Sequence, residues 1–235
     1  MTITIRPAAS RGASNLGWLQ SQHSFSFGEY YDPKHRGFET LRVINDDKVA
    51  SGAGFGEHPH KNMEIISYVL SGALAHKDSL GHEEAIQAGD VQRISAGSGI
   101  THSEYNHSAD DEVHFLQIWF LPKTKNINPS YEQKHFASET KRGCFTLIAS
   151  ELGRDGSISL NQDVDMLAGL INGDETVGYH LPQGRKAWVQ IARGSVTMND
   201  IALQAGDGAA IEDSEDLVFA QGDDAEVLIF DLQPA

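Results

Sequence analysis

The tetrapeptide Gln87-Ala88-Gly89-Asp90 returns in the second half of the chain as Gln204-Ala205-Gly206-Asp207, and a unit that occurs twice must fold twice. Tyr68-Val69-Leu70-Ser71-Gly72 precedes the first copy, and Val189-Gln190-Ile191-Ala192-Arg193-Gly194 precedes the second. A last apolar run follows each, at residues 114–121 and 227–232. Each half therefore reads as strand, glycine turn, strand, Ala-Gly-Asp turn, strand, strand. Further short runs rich in β-branched and aromatic residues lie at 41–44, 64–70, 91–94, 144–149, 165–171, 187–191 and 217–220. Helical periodicity is scarce, so the pattern predicts an all-β chain of two similar barrels in tandem. Residues 1–125 form the expected N-terminal barrel and 126–235 the C-terminal one, with 123–135, flanked by Pro122 and containing Pro129, as the connection. Asn45-Asp46-Asp47 and Met198-Asn199-Asp200 read as hairpin turns, because Asn and Asp tolerate left-handed backbone angles.

Composition narrows the function classes. The 235 residues carry a formal net charge of −15. Such a surface repels phosphate backbones, which argues against direct nucleic-acid binding and against an anionic membrane. A protein partner is compatible with this charge, and a monomer is the simplest expectation. The single cysteine, Cys144, allows no internal disulfide and reads as an inert buried thiol on a strand. No run approaches the ~20 apolar residues of a membrane span, and residues 1–10 lack a signal-peptide core. A cytoplasmic protein is expected.

Two same-face pairs carry the chemistry: His58-Pro59-His60 and His102-Ser103-Glu104. On a strand, residues two apart point to one face. Were the two segments neighbours, three imidazoles and a carboxylate would converge on one ion. That donor set accepts one divalent transition metal and leaves room for substrate or dioxygen; iron(II) is expected first, although the donors by themselves do not choose among it and zinc, cobalt, nickel, manganese or copper. His23, His76, His82, His107 and His114 are singletons and read as structural, with His114 a candidate barrel-lining residue. Phe25, Phe27, Phe55, Phe115, Trp119 and Phe120 read chiefly as core that can also wall a flat aromatic substrate. Asp46-Asp47 and Asp110-Asp111-Glu112 read as solvated loops.

Gly52, His58-Pro59-His60, Glu64 and Gly72 resemble the first cupin motif, with one extra residue between Glu64 and Gly72. Gly99, His102 and Asn106 resemble the end of the second, without the usual proline before the glycine. More narrowly, Gly54-Phe55-Gly56-Glu57-His58-Pro59-His60, Ala88-Gly89-Asp90-Val91-Gln92 and Ser95-Ala96-Gly97-Ser98-Gly99-Ile100-Thr101-His102-Ser103-Glu104 resemble the pirin family. Trp18, His23-Ser24-Phe25-Ser26-Phe27, Tyr30-Tyr31-Asp32-Pro33 and Leu41-Arg42-Val43-Ile44-Asn45-Asp46-Asp47 add to the likeness. It is dense in the first half and sparse in the second.

The resemblance implies a bicupin, two jelly-roll barrels with a metal in the N-terminal one only, held at the positions of His58, His60, His102 and Glu104. It is nearest the family's bacterial quercetin 2,3-dioxygenases, which implies opening of a flavonol ring with dioxygen and release of carbon monoxide and a depside. Glu104 is then the base for the flavonol hydroxyl. In the family the carboxylate ligand matches Glu104, so Glu64 reads as structural or supporting. The alternative is a metal- or redox-dependent regulator that binds a transcription factor or metabolic enzyme, with flavonol turnover incidental. A cupin isomerase or sugar-binding module is a third reading, since fold alone does not set function. Matching Gly194 to Gly72 sets His180 opposite His58 but Leu181-Pro182 opposite Pro59-His60, and no histidine follows Asp207. The second barrel is therefore expected to hold no metal.

Overall fold

The computed structural model describes residues 2–213 and 215–234. Among them the only α-helix is the single turn Ser138–Lys141, and the remainder is mostly strand. The N-terminal half is a four-stranded sheet packed against a seven-stranded one. The first has the order Gly54–His60, Ile100–Asn106, Ala73–Asp78, Glu83–Gln87. The second runs Ser130–His135, Asp90–Ser95, Glu64–Ser71, Val113–Phe120, Leu41–Val49, Leu19–His23, Gly12–Asn15. A nine-stranded sheet makes the C-terminal half, closed around Leu167, Val189, Ile191, Phe219 and Ile229.

Strand pairing crosses the expected division after residue 125 in both directions. Ile3–Arg6 pairs with Gly208–Ile211 of the second half, and Ser130–His135 extends the first half's sheet beside Asp90–Ser95. The connection expected over 123–135 thus contributes a strand of its own. A shared core seals the halves together: Leu41, Ile66, Leu116 and Phe120 from one pack with Ile148, Met166, Trp188 and Phe230 from the other. Phe120 and Phe230 meet at a centroid distance of 5.9 Å.

The repeated tetrapeptide folds identically in both halves. Gly89 (φ 91°) and Gly206 (φ 88°) turn the chain through the left-handed region that side chains avoid. Asp90 Oδ2 accepts the Gln87 amide at 2.9 Å, and Asp207 Oδ2 accepts the Gln204 amide at 3.0 Å. Each aspartate thereby closes its own turn. Asn199 (φ 46°) and Asp200 (φ 63°) form the expected hairpin turn, with Met198 paired to Ile201.

Two expectations are corrected. Asn45-Asp46-Asp47 is no turn but the middle of the nine-residue strand Leu41–Val49, with Asn45 and Asp47 buried. Turn-like composition is overridden there because these polar groups face a cavity and find cross-strand partners. Cys144 precedes its strand, which begins at Phe145, and its thiol is exposed. The left-handed Gly143 (φ 66°) delays strand entry by a residue and leaves Cys144 outside the sheet.

Candidate metal centre

The central strand of the four-stranded sheet, Ile100–Asn106, carries His102 and Glu104 inward, with Ser103 and Tyr105 outward. His102 lies opposite His58, and Ile100 lies opposite His60, on the Gly54–His60 strand. A bulge between His102 and Glu104 on this edge sets Glu104 against Phe55. His58, His60 and Glu104 thus line one cavity, with His102 packed against both imidazoles. The ligand-capable atoms of His58, His60 and His102 lie within 4.8 Å of one another, and ring centroids are 4.5–4.9 Å apart.

Each donor is prepared differently. His58 Nδ1 lies 2.7 Å from the Gly56 carbonyl, which only accepts, so Nδ1 carries the proton and Nε2 presents a lone pair. His102 is 1% exposed, and neither ring nitrogen has a hydrogen-bond partner. Burial, then the neighbouring His58 and His76, pull its pKa down to about 3. Burial and the adjacent imidazoles likewise pull His60 down to about 4. Neutral imidazoles are the ligating form. Glu104 is 3% exposed and its pKa is raised by burial, against the opposing pull of nearby histidines, Ser67 and Gln117. Gln117 Nε2 donates to both its oxygens, at 3.0 and 2.8 Å, and Ser67 Oγ donates to Oε1 at 3.2 Å. Trp119 Nε1 donates to Gln117 Oε1, which fixes the amide so that its NH₂ faces Glu104.

His76, expected to be an isolated structural histidine, is the residue the sequence reading missed. It lies opposite Glu104 on the other flanking strand, buried, in a second donor group of His76, His102 and Glu104, also within 4.8 Å. Its Nε2 is 3.0 Å from Asp78 Oδ2, and its Nδ1 is buried without a partner. Burial raises the Asp78 pKa, but hydrogen bonds from His76, the His82 and Leu80 amides and the His82 ring outweigh it and hold the carboxyl below its usual range. The signal was legible: His76-Lys77-Asp78 is a third same-face pair.

Glu64 stands elsewhere, accepting Ser95 Oγ at 2.7 Å and the Asn161 amide at 3.1 Å where the two halves meet. This is a joining role. His114 bonds Asp46 at 2.6 Å and does not line the cavity. His180 is exposed and paired with Asp216.

The cavity above the donors measures about 530 Å³, within the range of small-molecule sites. Phe27, Phe55 and Trp119 wall it, while Phe25, Phe115 and Phe120 are core. Opposite runs a polar ladder from two paired strands, His23 beside Asn45 and Ser21 beside Asp47. His23 Nδ1 is 2.7 Å from Asn45 Oδ1, and Ser14 Oγ is 2.9 Å from His23 Nε2.

Burial raises the Asp47 pKa to about 7, against a hydrogen bond from Ser21 and with help from the Asp46 and Glu104 charges. Below about pH 4 both the folded and unfolded chain hold this proton; between 4 and 7 only the folded chain does. Stability therefore falls as pH rises through that window and levels above it, by about 4 kcal/mol from this group. Asp47→Asn removes that slope. The urea midpoint of the variant, equal to wild type at pH 4, is expected to be higher at pH 8.

The donor set fits one divalent metal ion. Bonds of about 2.0–2.2 Å hold two ligand atoms at most about 4.4 Å apart, so the spread of the three imidazoles, within 4.8 Å, closes with an inward shift. His102, buried with two orphaned nitrogens, is otherwise a cost to folding. Two β-barrels, one lined at its inner face by three imidazoles and a buried carboxylate, define a metal-binding bicupin.

Comparison with known proteins agrees. Residues 5–120 match the Pirin family model, and residues 147–232 match the quercetinase C-terminal cupin domain. The chain belongs to the pirin family. It is 45% identical over 233 residues to a quercetin 2,3-dioxygenase of Escherichia coli K12, covering 99% of each chain. A pirin-like protein of Caulobacter vibrioides is 39% identical over 230 residues, covering 97% of this chain and 99% of the relative. The crystal structure of the Escherichia coli bacterial pirin YhhW in complex with nickel(II) superimposes with a TM-score of 0.94 at 44% identity, over the whole of both chains.

Proposed function

We propose that the protein is a metal-dependent dioxygenase that opens the heterocyclic ring of flavonols such as quercetin, releasing carbon monoxide and a depside, with His58, His60, His102 and Glu104 as metal ligands. The observation that carries this reading is the cluster of His58, His60 and His102, with Glu104 close to His102, beneath a cavity that His58, His60 and Glu104 line together with aromatic rings. Iron(II) is the proposed metal. A bound divalent ion supplies Lewis acidity toward the substrate's 3-hydroxyl and, in the case of iron(II), redox reactivity toward dioxygen.

The chain's own residues do the rest. Phe27, Phe55 and Trp119 offer faces and edges to a flat polyphenol and exclude water from the donors. Trp119 also packs edge-on against His60 at 4.9 Å, which limits rotation of that ring. Glu104 takes the 3-hydroxyl proton; burial has already raised its proton affinity above that of an exposed carboxylate. Gln117 and Ser67 hold the carboxylate in place before and after the transfer.

Incubated aerobically with quercetin, the metal-loaded protein is expected to bleach the flavonol's near-ultraviolet band and evolve carbon monoxide. Chelation is expected to abolish both, and readdition of iron(II) to restore them. Bleaching that ignores the chelator, or none at all, sinks the enzymatic reading in favour of a regulatory protein.

A further inference from the structure

A second cavity, of about 290 Å³, opens where the two halves and the segment joining them meet. Lys141, Arg142 and Arg193 line it together with Glu226 and Asp224. Three of the chain's 18 basic side chains are thus gathered at one cleft of a protein whose net charge is −15.

The acids present do not consume these charges. Lys141 is 3% exposed, and its ammonium carries three donors. One reaches a neutral acceptor, Tyr68 Oη at 3.1 Å, while Tyr68 itself donates to Glu226 Oε1 at 2.5 Å. Glu226 stands 3.8 Å from the ammonium and 3.6 Å from Arg193 Nε, so one carboxylate is divided between two cations. Arg142 is exposed at the rim and, among the described residues, has no ion pair. His135, also at the rim, is committed to Asp90 at 2.7 Å. The cleft keeps about one surplus positive charge after Asp224 is counted. A buried ammonium so thinly partnered is costly to hold; burial lowers its pKa against the pull of Glu226.

We propose that this cleft binds a small oxyanion, inorganic phosphate or a short dicarboxylate, between the Lys141 ammonium and the guanidinium groups of Arg142 and Arg193. Planar guanidinium forks match oxyanion geometry, and the low-dielectric floor strengthens each contact. The occupant bridges the joining segment, through Lys141 and Arg142, to the second half, through Arg193. The proposal is independent of the histidine centre and of its substrate.

Isothermal titration and thermal unfolding of the metal-loaded full chain, with phosphate and succinate in separate arms against sodium chloride of equal ionic strength, test it. Saturable heat and a saturable rise in Tm are expected for at least one anion, and the arm that responds identifies the class. Arg142→Ala, a change at an exposed position, is expected to weaken the response at least 10-fold, and Arg142→Lys to recover part of it. The response is expected to survive chelation. Absence of saturable binding in both arms overturns the assignment. So does binding that Arg142→Ala leaves unchanged, or a response that vanishes with the metal and hence belongs to the histidines.

Discussion

Glu104→Gln is expected to lower kcat for quercetin by about 10²–10⁴-fold, the usual range for general-base assistance, while metal content is expected to stay above half of the wild-type level. The substitution keeps the volume and one carbonyl oxygen but removes the carboxylate proposed to take the proton. It also disturbs the local network in a calculable way. Both carboxylate oxygens of Glu104 accept from Gln117 Nε2, and Trp119 prevents Gln117 from turning its oxygen toward them. The introduced amide must therefore aim its oxygen at Gln117 and its NH₂ elsewhere, so one of the two hydrogen bonds from Gln117 is lost. Three imidazoles still converge, which is why metal is retained. The expected loss equals about 2.7–5.5 kcal/mol of transition-state stabilisation. Steady-state kinetics paired with metal analysis by mass spectrometry decide the matter. Wild-type turnover at full occupancy removes Glu104 from the proton transfer.

The architecture was legible because strands announce themselves through period two and through the glycines that separate them. His58 and His60, and His102 and Glu104, were found as same-face pairs before any neighbour was known, and the sheet register then set His102 opposite His58. The same rule applied to His76 and Asp78 would have found the third pair, but an aspartate beside a lysine reads as surface until a third strand is seen to bury it. Asn45 and Asp47 misled for a related reason. Local propensity makes them turn formers, whereas a polar ladder at a cavity wall needs partners two residues apart on a paired strand, and Ser21 and His23 supply them. Cross-strand register is a tertiary property, and a single sequence does not display it. The exchange of Ile3–Arg6 and Ser130–His135 between the two halves was hidden likewise, since both are ordinary short strands whose partners lie far along the chain.

His102→Ala is expected to abolish stoichiometric metal binding, lowering affinity more than 100-fold. Loss of a residue that merely orients a ligand costs about 10–100-fold, and His102 belongs to both donor groups, so its removal leaves neither intact. Its strand neighbours give no substitute: Thr101 and Ser103 face away from the cavity. His76 separates the two arrangements that the geometry allows. Its Nε2 is tied to Asp78 and its Nδ1 has no partner, so it is a ligand through Nδ1 in one arrangement and, in the proposed centre, a supporting residue beside Glu104. His76→Ala should then keep most of the metal and lose at most the 10–100-fold typical of supporting residues. His102→Ala opens a cavity but also deletes two buried polar atoms that have no partner, so its thermal unfolding in chelator is expected to stay close to that of wild type. Metal titration of both variants gives the answer directly. Equal losses would make His76 a ligand in its own right, and tight binding by His102→Ala would dissolve the centre as drawn.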